Sequence, residues 1–153
     1  MKRIALFALA SAALMWCDDP NAEKLPPGKG KEVVTAVCME CHGVNNIRRQ
    51  RLSRDEWTSE VSDMVDRGAK ANDDQIAVIL DYLTANFGTD SKLRVNTAPM
   101  IEWKSVLNLT AAEAGAIVDY RTEHGDYHEL ADLLKVPGVD GSKIEAKKEI
   151  LDF

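Results

Sequence analysis

The sequence predicts an all-α protein in two parts, and three observations carry that prediction. Apolar residues recur three and four apart along most of the chain, capping residues stand ahead of these stripes, and no convincing alternating run of strand type appears. A polar break, "GTDSK" at residues 88–92, separates the two parts. The chain has 153 residues, enough for one domain of average size or two very small ones.

At the N-terminus, Lys2 and Arg3 precede an apolar run that ends at Trp16. A basic start and a short apolar stretch make residues 1–17 a secretory signal peptide, and the run is short for a membrane span. A buried N-terminal helix is the alternative reading of the same run. Small residues at Ala8, Ala10 and Ala12 offer cleavage sites. Cys17 sits where a bacterial lipoprotein carries its lipidated cysteine, although Trp16 stands where a small side chain is wanted. The expected location is the periplasm, with anchoring to a membrane through the N-terminus as a further option. Residues 18–27 are polar with two prolines next to each other, and read as a linker.

"KEVVTAVCMECH" places Val33, Val34, Val37 and Cys41 at helical spacing, so the cysteine motif is expected to end a short helix. "NNIRRQRL" (45–52) reads as a basic loop. Ser53 with Glu56 forms a capping box for a helix from about Arg54 to Val65, which Gly68 ends. Asn72 or Asp73 caps the next helix, whose apolar stripe is Ile76, Ile79, Leu80, Leu83 and Phe87, and Gly88 stops it. Beyond the break, "PMIEWKSVL", "TAAEAGAIVDYRTEHG", "YHELADLLKV" and "GSKIEAKKEIL" are four short helical patterns, giving a second domain over residues 93–153.

An apolar content of 45% and a charged content of 29% are those of a folded protein rather than a disordered one. The net charge of −6 argues against a general phosphate binder. Residues 18–90 hold 9 Lys and Arg against 14 Asp and Glu, and residues 91–153 hold 8 against 11, so neither half is basic.

The chemistry concentrates in "CMECH", residues 38–42. A disulfide is sterically possible at this spacing, and a redox dithiol also uses it, but that fold needs βαβ surroundings that the pattern lacks. A structural zinc site needs four ligands, and only Cys38, Cys41 and His42 lie close together in sequence. Cys-x-x-Cys followed at once by His is the attachment signature of c-type haem. Two thiols at this spacing add to the two vinyl groups of one porphyrin, and the adjacent imidazole of His42 becomes the proximal ligand. One covalent haem c is therefore expected, and export suits it.

Around this motif, residues 28–88 resemble a small class I cytochrome c. That family has an N-terminal helix ending in Cys-x-x-Cys-His, then a loop, an intermediate helix, a methionine ligand and a C-terminal helix. "DMVDRGAKANDDQIAVILDYL" is similar to its methionine, turn and last helix. The resemblance implies Met64 as distal iron ligand, which favours electron transfer over oxygen chemistry. Val65 follows it where many relatives have proline, and a core-filling role is the plain alternative for a methionine. Haem propionates call for Arg or an indole N–H, and Arg51 and Trp57 are the candidates by relative position. A solvated basic loop and a core tryptophan are the competing reading.

Residues 95–151 resemble the paired helix-hairpin-helix module of bacterial competence DNA receptors, through "VNTA", "IVDYR" with "HGDY", and "LLKVPGVDGSKIE". The family's hairpins carry Gly-apolar-Gly, whose backbone N–H groups grip a DNA phosphate. Here the first hairpin reads "NLT" (108–110) and the second "GVD" (138–140), with Asp140 where a phosphate would approach. The resemblances imply an all-α chain, a small cytochrome c fold followed by a small helix-hairpin-helix domain that docks or spaces rather than binds nucleic acid. Such a protein is no enzyme. It carries single electrons between redox protein partners, a dehydrogenase donor and an oxidase or cytochrome acceptor. The rival expectations are a haem-bearing DNA-binding protein, and a haem sensor or enzyme with an open distal site.

Overall fold

A computed structural model describes residues 24–153, so the expected signal peptide, Cys17 and the first part of the linker lie outside the described residues. The described chain is mostly helical. In order it forms α1 (Lys31–Cys38), α2 (Asn45–Arg48), α3 (Arg54–Asp66) and α4 (Asp73–Phe87), then β1 (Leu93–Arg94). There follow α5 (Met100–Leu107), α6 (Ala111–His124), α7 (Leu130–Leu133), α8 (Gly141–Glu145), a 3-10 turn (Lys148–Ile150) and β2 (Leu151–Asp152).

The capping signals set the long helices. Ser53 accepts from the Glu56 N–H and Glu56 returns a bond to the Ser53 N–H at 2.8 Å, which starts α3. Asn72 and Gln75 make the same reciprocal pair ahead of α4. Each box satisfies two backbone donors that a helix start leaves free, and a good cap contributes about 1 kcal/mol. Helix α4 is the centre of the first part and packs against α1 and α3. Its apolar stripe buries Ile79, Leu80, Leu83 and Phe87 against Val34 of α1 and Trp57 and Val61 of α3.

The crossing of α1 over α4 depends on Gly30. Its φ is +100°, and a Cβ there would meet Val78 Cγ1 at 3.0 Å and Tyr82 Cβ at 3.1 Å. Only glycine gives both the left-handed backbone and the close approach. Gly88 is needed for a different reason, since its φ is ordinary but a Cβ would overlap the Thr84 carbonyl oxygen. It therefore stops α4 by close packing.

Three local features differ from the sequence expectations. Leu25 and Pro26, assigned to the linker, are buried, and the Tyr82 hydroxyl donates to the Pro26 carbonyl at 2.6 Å. Burial pushes the Tyr82 pKa up to about 12, so this hydroxyl keeps its proton to donate. The segment 45–52, read as a loop, contains α2; its run of arginines hid a single turn that buries Ile47 and Arg48. Helix α1 ends at Cys38 with Met39 as its C-cap, so Cys41 and His42 lie in the turn beyond it.

The second part has its own apolar core of buried residues, which includes Trp103, Leu107, Ile117, Leu133 and Ile144 and is separate from the first. Helices α5 and α6 pack as a hairpin. The expected four helical patterns are present, but α7 has 4 residues and α8 has 5, and β1 pairs parallel with β2. Two-residue strands carry no readable alternation, which is why the sequence showed none. The pairing ties the end of the chain back to the start of this part.

Candidate functional site

Cys38, Cys41, His42, Trp57 and Met64 line one cavity of about 510 Å³ in the first part. The residues reach it from separate elements. Cys38 closes α1, Cys41 and His42 follow in the turn, and Trp57 and Met64 project from α3. Val37, Ile47, Val61, Ile79 and Leu83 supply apolar walls. Pockets of this size and lining hold organic ligands rather than single ions. No group of three His, Cys, Asp or Glu side chains among the described residues converges to hold a metal ion.

Both cysteines are free thiols, Cys38 partly buried and Cys41 exposed. Burial pushes the Cys38 thiol up, and the neighbouring Cys41 adds to the shift. That is opposite to the lowered pKa of an activated thiolate nucleophile. His42 Nδ1 is buried without a hydrogen-bond partner, although buried polar atoms are normally paired. Met64 is half-buried in the last turns of α3, and its carbonyl accepts from the Ala69 N–H at 2.9 Å.

Two other candidates are engaged elsewhere. The Trp57 ring lines the cavity, but its indole N–H donates to the Phe87 carbonyl at 3.1 Å. Arg51 is outside the cavity lining; it pairs with Glu102 at 2.9 Å and lies over the Phe87 ring, 5.5 Å from its centroid. The Trp57 N–H and the terminal nitrogens of Arg51 thus have partners within the protein, while Arg51 Nε is buried without one. The arginines that do line the cavity are Arg49 and Arg67, both exposed. Sequence reasoning passed over them because one-dimensional order does not tell which of three clustered arginines faces inward.

In the second part, both hairpin loops use left-handed backbone. Asn108 stands at φ 55° and ψ 39°, the left-handed conformation that the family's glycine would supply and that Asn tolerates. Gly138 has φ +79°. The backbone donors of both loops converge on one internal carboxylate. Glu113 accepts from the Thr110 N–H at 2.8 Å and the Asp140 N–H at 3.2 Å, and Lys143 Nζ lies 3.0 and 3.1 Å from its two oxygens. The Asp140 side chain caps α8 by accepting from the Ser142 N–H at 3.0 Å. The Thr110–Glu113 capping box was readable as T-x-x-E, but its reach to the second hairpin was not.

The Thr110 N–H, then Lys143 and the Thr110 hydroxyl, lower the Glu113 pKa from 4.5 to about 2. A depressed carboxyl stabilises the folded state above its unfolded pKa and loses that contribution as pH falls through the folded value. The stability gap between wild type and Glu113→Gln should therefore be full above pH 4.5 and shrink towards pH 2. Thermal unfolding from pH 6 to 2 reads this directly. A gap that does not change with pH would mean the charge plays no part.

The family described as helix-hairpin-helix motif matches residues 89–151. Among curated proteins, the endonuclease/exonuclease/phosphatase family domain-containing protein 1 of Mus musculus is 31% identical over 64 residues, 42% of this chain and 11% of that protein. An uncharacterized protein of Haemophilus influenzae is 36% identical over 63 residues, 40% of this chain and 56% of its own length. The chain thus spans about a tenth of the first relative and just over half of the second. No solved structure matches. Residues 89–151 carry a helix-hairpin-helix motif.

Proposed function

We propose that the first part binds one covalent haem c and that the protein is an exported one-electron carrier. The observation that carries this reading is the single cavity lined by Cys38, Cys41, His42 and Met64. The donor set fits the group. One thiol closes α1 and the other follows in the turn beyond it, a buried imidazole nitrogen has no protein partner, and a thioether reaches in from α3.

When bound, haem supplies an iron that cycles between two oxidation states. Cys38 and Cys41 would hold it through thioethers, each thiol supplying the sulfur and proton that add across one vinyl double bond. His42 would offer the iron a ring nitrogen lone pair and Met64 a thioether sulfur, a donor pair that favours the reduced state. Arg49 and Arg67 bring positive charge to the cavity lining, where propionate carboxylates need it. The apolar walls exclude water. No substrate pocket is required, because a dehydrogenase donor and an oxidase or cytochrome acceptor exchange electrons at the exposed edge. Residues 1–17 direct export to the periplasm in this reading, and Cys17 is where a lipid anchor would attach. The test is a haem stain of the denatured chain together with visible spectra of the reduced and oxidised protein.

The helix-hairpin-helix motif favours a second reading, nucleic-acid binding through residues 89–151. Against it, the Thr110 and Asp140 N–H groups are already bound to Glu113, and the flanking surface is acidic overall. The full chain should bind a labelled DNA duplex no better than an unrelated acidic protein. Fluorescence anisotropy at low salt is the measurement, since electrostatic binding is strongest there. Saturable micromolar binding that weakens steeply with salt would restore the DNA reading.

A further inference from the structure

We infer that the helix-hairpin-helix module serves here as a brace for the cavity wall, with Glu102 of α5 as the positioning residue. The inference rests on the reading that the cavity holds haem. Glu102 is 5% exposed, an unusual place for a carboxylate, and it faces out of its own module toward α2. Its two oxygens take separate partners: Oε1 pairs with Arg48, and Oε2 with Arg51 at 2.9 Å. Arg48 is 3% exposed and also donates through Nε to the Lys24 carbonyl at 2.6 Å.

These two arginines belong to the segment that forms a wall of the cavity. Asn46, Ile47, Arg49 and Gln50 all line it. Within the first part, the segment is held mainly by Val44 and Ile47 in the apolar core. Helix α2 has 4 residues and no side-chain N-cap, far below the length at which a helix sustains itself. Its end is tied by the Leu52 N–H to the Phe87 carbonyl at 3.1 Å. The two apolar cores do not merge, so the modules meet here through ion pairs, helped by the Arg94 bond to Asn86 at 2.9 Å. By drawing Arg48 and Arg51 away, Glu102 also leaves Arg49 as the arginine of this segment on the cavity side.

Removing the charge of Glu102 should leave Arg48 and Arg51 without their shared carboxylate and loosen the wall. The experiment compares Glu102→Gln with Glu102→Asp, which keeps the carboxylate, and with Ile144→Ala, which weakens the same module's core away from the bridge. Hydrogen exchange across residues 44–52 is followed in the full chain, where the Ile47, Arg48 and Gln50 amides are hydrogen-bonded. Exchange should be about tenfold faster in Glu102→Gln and near wild type in the other two. In haem-loaded protein, Glu102→Gln alone should raise the midpoint potential, since a buried negative charge paired to the cavity-lining segment is gone. Unchanged exchange or an unshifted potential in Glu102→Gln would overturn the brace. If that variant does not fold, Arg51→Gln removes one pair at a less buried side chain and its exchange decides in the same way. A wild-type chain that takes up no haem would refute the cofactor reading instead, and the exchange comparison would still judge the brace.

Discussion

Replacing both Cys38 and Cys41 by serine should remove the haem signal from the denatured chain completely. The wild-type band should stain for haem peroxidase activity after denaturing electrophoresis, and its intact mass should exceed that of the mature polypeptide by one haem. Covalent attachment is the reason for such an all-or-none effect. A cofactor held only by axial ligands and packing leaves when the fold is lost, whereas a thioether survives denaturation. Serine keeps the size of cysteine but has no sulfur nucleophile to add to a vinyl group. Each single variant should keep one thioether and stain weakly. The two are not equivalent, because Cys38 is partly buried at the end of α1 while Cys41 is exposed in the following turn. An unstained wild-type band after expression with haem-attachment machinery would end the cytochrome reading.

The elements that were legible in the sequence are those whose signals are local. Ser53 with Glu56, and Asn72 with Gln75, are cap pairs separated by three residues, and each starts a helix where its spacing placed it. Of the α4 stripe, Ile79, Leu80, Leu83 and Phe87 are buried as a helix face should be, with Ile76 half-buried at its start. The gathering of Cys38, Cys41, His42 and Met64 at one cavity also follows from helical order, because α1 and α3 both pack on α4. What stayed hidden depends on pairing across distance. Arg48, Arg49 and Arg51 look alike as a basic run, and only the arrival of Glu102 from more than fifty residues away separates them. The Trp57 indole was a plausible propionate donor until the Phe87 carbonyl came within 3.1 Å. Glu113 is one of 11 acidic residues in residues 91–153, yet it draws the backbone donors of two hairpins. Charge count alone does not reveal where a charge is spent.

The distal ligand gives the second large effect, and the choice of substitution decides what it means. Met64 lies half-buried on α3 against the cavity, so Met64→Ala would both remove the sulfur and open space. Met64→Leu keeps nearly the same apolar volume, and such swaps usually cost less than about 1.5 kcal/mol in stability. The two variants separate packing from ligation. If Met64 only fills the core, Met64→Leu should leave the spectrum, the potential and ligand access as they were. If its sulfur binds the iron, both variants should lose the weak near-infrared methionine-to-iron band of the ferric protein. Both should then bind added imidazole, because the sixth position is no longer filled from within. Their midpoint potentials should fall, since thioether ligation favours the reduced state. Imidazole titration of ferric wild type, Met64→Leu and Met64→Ala, followed in the visible region, is the decisive comparison. A Met64→Leu protein that keeps its near-infrared band would assign the sixth position to another residue.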